Sequence, residues 1–407
     1  MSSFVQNGSV TFCWHSRPDV NCPVMKLSPA IRRVLLSMSL LIVASCADRE
    51  NKVPSVQDGL FEQEDTLSLG LKRPPGMEKI TVYESDGPGY VNNVVLSRFA
   101  DKWYCMWQES ERDEDTPDTH VMYSVSTDGA VWGEPALLAP PTDSTFATPG
   151  GWVQRGDSLS AIINYFSSAN RSAGGKARYK TTHDGMTWNE AHPVLMEDGS
   201  PMQAVLEQDP LLLPSGRTVG AAHFRPGTTL CPVYTDDPSG LRGWRRGNLP
   251  EGEGEPMEPS QYVTPGRDLV MLFRDQASSF TKLASVSGDG GETWTAPRRT
   301  IIPDSRSKQC AGNLPDGRAF WVGNPTGSKS RRILALALSD DGYLFNKAYL
   351  LAGENDLPER RTKGRYKTLG FNYPKAVVVN DTVWVSLSIN KEDAVIYRIP
   401  VKGLDQR

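Results

Sequence analysis

Apolar residues along this chain come in runs of five or six, too short for helices that must bury a face over several turns. Val-Met-Tyr-Ser-Val at 121–125, Leu-Val-Met-Leu-Phe at 269–273, Ile-Leu-Ala-Leu-Ala-Leu at 333–338 and Thr-Val-Trp-Val-Ser-Leu at 382–387 have strand character. Most are bounded by Gly, Pro, Asp or Asn, which terminate strands in turns. Beyond residue 46 no stretch carries the spacing of a long amphipathic helix. The pattern predicts an all-β chain of many short strands.

The turns between those strands repeat. Ser287-Gly288-Asp289-Gly290-Gly291-Glu292-Thr293-Trp294 is a full Asp-box, and four variants share its Ser/Thr-x-Asp, glycine and aromatic positions. The five copies start at 126, 182, 235, 287 and 339, giving intervals of 56, 53, 52 and 52 residues. A sixth, eroded copy is expected at Ser388-Ile389-Asn390. Several short strands per unit of about 50 residues indicate propeller blades rather than a helical solenoid. The fold expected is a six-bladed β-propeller over 77–407; the period alone leaves a seventh, irregular blade open. In such a turn Asp accepts hydrogen bonds from backbone amides, Gly supplies positive φ, and Trp packs between sheets. The Asp-boxes therefore define architecture, not chemistry.

Composition adds the ends of the chain. Arg32 and Arg33 precede an apolar stretch at 34–44, and Val43-Ala44-Ser45 leads into Cys46. The stretch is short for a membrane span and fits a signal peptide with Met25 as its start. Small residues before Cys46 resemble a bacterial lipobox, which implies cleavage there and lipid attachment at Cys46 in the cell envelope. Residues 1–46 are then leader, and polar, Pro-containing 47–76 reads as a tether. Cys105, Cys231 and Cys310 remain in the body, with neither the number nor the spacing of a disulfide framework or zinc site, so free thiols are expected. A net charge of -4 gives no reason to expect nucleic acid as a partner.

The candidate chemistry lies in the C-terminal half. Glu258-Pro259-Ser260-Gln261 is followed by a strand ending in Phe273-Arg274-Asp275 and then by the full Asp-box. Gly323-Asn324-Pro325 precedes Arg331-Arg332, and Phe371-Asn372-Tyr373-Pro374-Lys375-Ala376 leads into the last strands. These segments resemble bacterial exo-sialidases. The resemblance implies Tyr373 as nucleophile, Glu258 as the base taking its proton, and Arg274 with Arg332 as carboxylate-binding arginines. It also implies an acid in the acidic loop at 109–118, with Asp115 preferred and Asp113 next. Sialidases depart from the two-carboxylate glycosidase scheme by using tyrosine, whose phenol needs a partner to take its proton. The family's first arginine is not found: Gly89-Tyr90-Val91-Asn92-Asn93 occupies its place. Arg98 or Arg225 could compensate, and Glu207, Asp209, His223 and Arg225 have the polar density of a pocket rim.

The function expected is a retaining exo-glycosidase releasing a terminal acidic sugar from a glycan. It would work as a monomer without cofactor or metal, since no nucleotide loop, His pair or Ser-His-Asp arrangement stands out. Two alternatives stay open at this point. One is a non-catalytic glycan-binding propeller. The other is a propeller hydrolase or lyase using the Glu207, Asp209, His223 and Arg225 group on a different sugar.

Overall fold

Each short turn joins two antiparallel strands, so neighbours along the chain become neighbours in a sheet. The computed structural model describes residues 52–86, 89–169 and 174–405, and the backbone of a separate hairpin pairing Ser2–Gln6 with Ser9–Cys13. The leader and Cys46 lie outside the described residues.

Six antiparallel sheets form the blades. From the innermost strand outward, blade 1 holds Tyr90–Phe99, Lys102–Ser110, His120–Ser126 and Ala136–Ala139. Blade 2 holds Thr145–Arg155, Ser158–Ser167, Gly175–Thr182 and His192–Pro193. In blade 3 the innermost strand is broken into Ala204–Leu206 and Leu211–Leu212, both paired with Thr218–Phe224, followed by Thr229–Thr235 and Arg245–Arg246. Blade 4 is Pro256–Val263, Leu269–Asp275, Thr281–Ser287 and Arg298–Pro303. Blade 5 is Cys310–Asn313, Ala319–Gly323, Leu334–Ser339 and Lys347–Ala352. Blade 6 takes Phe371–Val379, Thr382–Ile389 and Asp393–Pro400 from the end of the domain and Glu78–Glu84 from its beginning. That last pairing closes the ring.

Five Asp-boxes connect third strands to outermost strands in blades 1 to 5. In blade 1, Asp128 accepts from the Ala130 and Val131 amides at 2.8 and 2.9 Å while Ser126 Oγ accepts from Gly129. Asp184, Asp289 and Asp341 accept from turn amides in the same way. The expected sixth copy is not one. Ser388 and Asn390 sit at the turn between second and third strands, at the other end of the blade. Blade 6 borrows its outermost strand from the N-terminal side, so it has no third-to-fourth turn in which an Asp-box could form.

The core is divided among the six blade interfaces, each with its own cluster of buried apolar side chains. Asp-box aromatics serve these seams. Trp188 packs on Tyr123 and Trp152, and Phe345 on Tyr262 of the preceding blade. Within the expected tether, Ser55–Val56 pairs in parallel with Leu344–Phe345, and Phe61 and Leu69 are buried beside Trp321. This stretch is part of the propeller's packing rather than free chain, because its apolar residues cover the seam of blades 4 and 5.

The Gly185 turn is tight enough to test. Its φ is +72°, and an added Cβ would fall onto the Tyr104 hydroxyl, whereas Gly199 at +79° has open space around it. Gly199→Ala should cost about 1 kcal/mol for the left-handed backbone alone. Gly185→Ala should cost a further 1–3 kcal/mol or so for the overlap. Urea melts of both variants measure the difference, and equal losses would discount the contact.

Candidate functional site

Blade topology decides which residues can meet. Innermost strands begin, second strands end and third strands start at one mouth of the central channel; the Asp-boxes are at the other. Near that mouth the innermost strands of blades 1, 4 and 6 lose register against their neighbours, and the first bulged residues are Asn93, Glu258 and Tyr373. All three have positive φ, at 53°, 48° and 55°. In blade 3 the corresponding stretch, 207–210, leaves the sheet altogether. A β-bulge re-aims a side chain out of the pleat, which explains how a ladder of apolar strands delivers polar groups to one place. Proline after Glu258 and Tyr373 fits there because the interrupted ladder asks for no amide donor.

Tyr373 is the hub. Lys308 Nζ and Lys391 Nζ each lie 5.3 Å from its ring centroid, and the Arg331 guanidinium 5.5 Å. Burial first, then Glu258 and Glu114, push its phenol well above the ordinary value of 10, while Arg274 and Arg331 pull the other way. Glu258 is 7% exposed and accepts from Arg274 Nη1 at 2.7 Å. Burial alone would raise the Glu258 carboxyl, but Arg274 and Lys308 together hold the group below its usual range. Arg274 gives its other Nη to Gln276 at 2.6 Å, and its Nε is buried without a hydrogen-bond partner among the described residues. Arg331 is held by neutral acceptors, Asn372 Oδ1 at 2.9 Å and the Arg306 carbonyl at 3.3 Å.

Two further ion pairs complete the mouth. Lys308 donates to Glu207 at 2.7 Å and to Asn93 Oδ1 at 3.2 Å, bridging blades 5, 3 and 1. Lys391 donates to Glu114 at 2.7 Å. His223 is 1% exposed, with Nε2 unpartnered among the described residues; burial lowers its pKa against the pull of Glu207 and Glu258. Its imidazole feels the charge of both carboxylates, and its Nδ1 lies 3.5 Å from the Thr228 carbonyl oxygen. Along the channel lies a cavity of about 300 Å³ lined by Asp209, Ser260, Gln261, Asn313 and Lys375. Burial and nearby Lys308 bring Lys375 down to about 7, and burial raises Asp209 against the pull of Lys375 and Lys308.

The expected residues therefore divide. Tyr373, Glu258 and Arg274 come together, with Glu207 and His223 joining them in one cluster rather than forming a second site. Asp209 is one step further down the channel, accepting from the Trp152 amide at 2.7 Å. Arg225 sits between blades 2 and 3, over Phe166 at 5.4 Å and bonded to the Gly227 carbonyl. Arg332 is not brought to Tyr373: it pairs with Glu354 at the rim, and its neighbour Arg331 stands over the Tyr373 ring. Asp113 accepts the Tyr366 amide at 3.0 Å and so fastens the 360s loop. Asp115 acts on the Tyr90 phenol, as does Glu114, which also acts on Tyr373. Arg98 pairs with Asp101 at the far end of blade 1 and cannot compensate for the absent arginine. Lys308 and Lys391 went unnoticed because a lone lysine carries no motif. Among the described residues no group of three or more His, Cys, Asp or Glu is placed to hold a metal.

Asp-box blades closing into a ring of six, with this polar mouth, define a sialidase-like propeller. The model of the BNR repeat-like domain matches residues 101–385, and the chain belongs to that family. No curated protein matches. Among solved structures, a sialidase aligns at 20% identity and a TM-score of 0.62 over 86% of this chain, which spans only 35% of that one. A Dyadobacter fermentans protein of unknown function aligns at 17% identity and a TM-score of 0.60, covering 80% of this chain and 99% of that one. A Trypanosoma rangeli sialidase mutant displaying trans-sialidase activity aligns at 12% identity and 0.60, covering 82% and 60%. At these identities the likeness is one of fold.

Proposed function

We propose that the protein is a retaining exo-glycosidase releasing a terminal acidic sugar. The observation that supports this reading is the convergence of Tyr373, Glu258, Arg274 and Arg331 at one channel mouth. Arg331 and Arg274 hold the sugar carboxylate through their N–H forks. Tyr373 Oη attacks the anomeric carbon as its proton passes to Glu258, and the bond to the leaving oxygen breaks. That oxygen takes a proton from a carboxylic acid of the 109–118 loop, with Asp115 assigned the task. The loop residue then acts as base toward water, which displaces tyrosine and frees the sugar. The departing Tyr373 oxygen takes its proton back from Glu258, and Arg274 and Arg331 offset part of the rise that burial imposes on the phenol. The same proposal places the protein in the bacterial envelope, anchored through Cys46 and acting on glycans as a monomer.

A panel of sialosides, uronides and neutral glycosides tests it. Release of an acidic sugar, and none from neutral glycosides, is the expected result. Hydrolysis confined to neutral glycosides would refute it. Binding of acidic glycans with no turnover across the panel would select the glycan-binding reading instead.

A further inference from the structure

We infer that Lys308, set in place by Glu207 and Asn93, replaces the absent first arginine and makes the site selective for an anionic sugar. The inference rests on the glycosidase reading only for the identity of the site. It follows from three observations. Asn93 occupies in blade 1 the bulge position that holds Glu258 in blade 4 and Tyr373 in blade 6. A short neutral amide thus stands where the innermost strand of blade 1 turns a side chain toward the mouth. Lys308 enters from blade 5 and reaches that amide, so positive charge is delivered to blade 1 from across the channel. Its side chain is only 1% exposed, yet its Nζ lies 5.3 Å from the Tyr373 ring.

An ammonium group has three N–H donors. Glu207 and Asn93 take two of them, which leaves one for an acceptor in the mouth. Arg331, with its neutral acceptors, and Arg274, with its unpartnered Nε, supply the other donors around an anionic group. Glu207 has a double effect. It fixes the lysine and it neutralises part of its charge, so it restrains affinity for an anion. Removing that carboxylate charge should strengthen anion binding more when Lys308 is present than in Lys308→Met, a coupling that a purely structural lysine would not produce.

Calorimetry with N-acetylneuraminic acid, glucuronic acid and their methyl esters reads the device directly. Lys308→Met should weaken binding of the acid that binds wild type by about 10- to 100-fold, and binding of its ester little. Adding Asn93→Arg should recover most of the loss. Glu207→Gln, which keeps the lysine and a hydrogen-bond acceptor, should tighten acid binding by about 3- to 10-fold and decides the matter should Lys308→Met not fold. A folded Lys308→Met variant with unchanged affinity for the acid, weaker or unchanged binding in Glu207→Gln, or no binding of either acid to wild type would each overturn the inference. Failure of the glycosidase reading shows differently, as bound acid with no glycoside turned over by wild type.

Discussion

Tyr373→Phe is expected to cut turnover of an accepted glycoside by about 10³-fold or more, while affinity for the released acidic sugar stays within about threefold. The ring would survive the change and with it the contacts to Lys308, Arg331 and Lys391, none of which needs the hydroxyl. Only the attacking oxygen is lost. Steady-state kinetics together with product binding separate the two effects, and a variant that binds normally but turns over slowly has lost its nucleophile. Full turnover by Tyr373→Phe would move the chemistry to a carboxylate pair. Glu258 and Glu207, which interact electrostatically across the mouth, are the candidates, and Glu207→Gln would then carry the loss.

The blades were legible because an Asp-box is a local device. Serine, aspartate and glycine close the turn among themselves within four or five residues, so each copy announces itself in sequence. Ring closure is not local. Glu78–Glu84 pairs with Asp393–Pro400, more than 300 positions away, and nothing in either segment names its partner. That is why an eroded repeat was expected at Ser388. Which of Arg331 and Arg332 lies over Tyr373 is not legible either, for a related reason. Consecutive residues of an extended chain point to opposite sides, and the sequence does not say which phase faces the channel. Arg98 lies at the end of its strand remote from the mouth, which its place in the sequence does not reveal. A usable signal did exist in Glu258-Pro259 and Tyr373-Pro374. Proline inside a strand run points to a bulge, and a bulge turns a side chain toward the channel. Lys308 and Lys391 gain meaning only from partners in other strands.

Glu258→Ala should be among the most destabilising single changes at the site. It would leave the Arg274 guanidinium, 14% exposed in its side chain, without its anion. Breaking a buried pair from one side costs about 3–5 kcal/mol, on the order of 4–7 °C in Tm for a domain of this size. Glu258→Gln keeps an acceptor for Arg274 Nη1 and should lose less. Acid provides an independent check. The folded-state pKa of Glu258 is held below its unfolded value by Arg274 and Lys308, so its contribution is full above the usual carboxylate range and is lost as pH falls through the depressed value. The gap in stability between wild type and Glu258→Gln should accordingly be widest near neutrality and narrow in strong acid. Turnover should fall by about 10²- to 10⁴-fold in both variants, since neither side chain can take the tyrosine proton. Thermal melts at neutral and acid pH, run beside kinetics, decide whether one carboxylate does both jobs. An alanine variant as stable as wild type would show that Arg274 finds another anion. A glutamine variant with undiminished turnover would show that the proton leaves Tyr373 by another route.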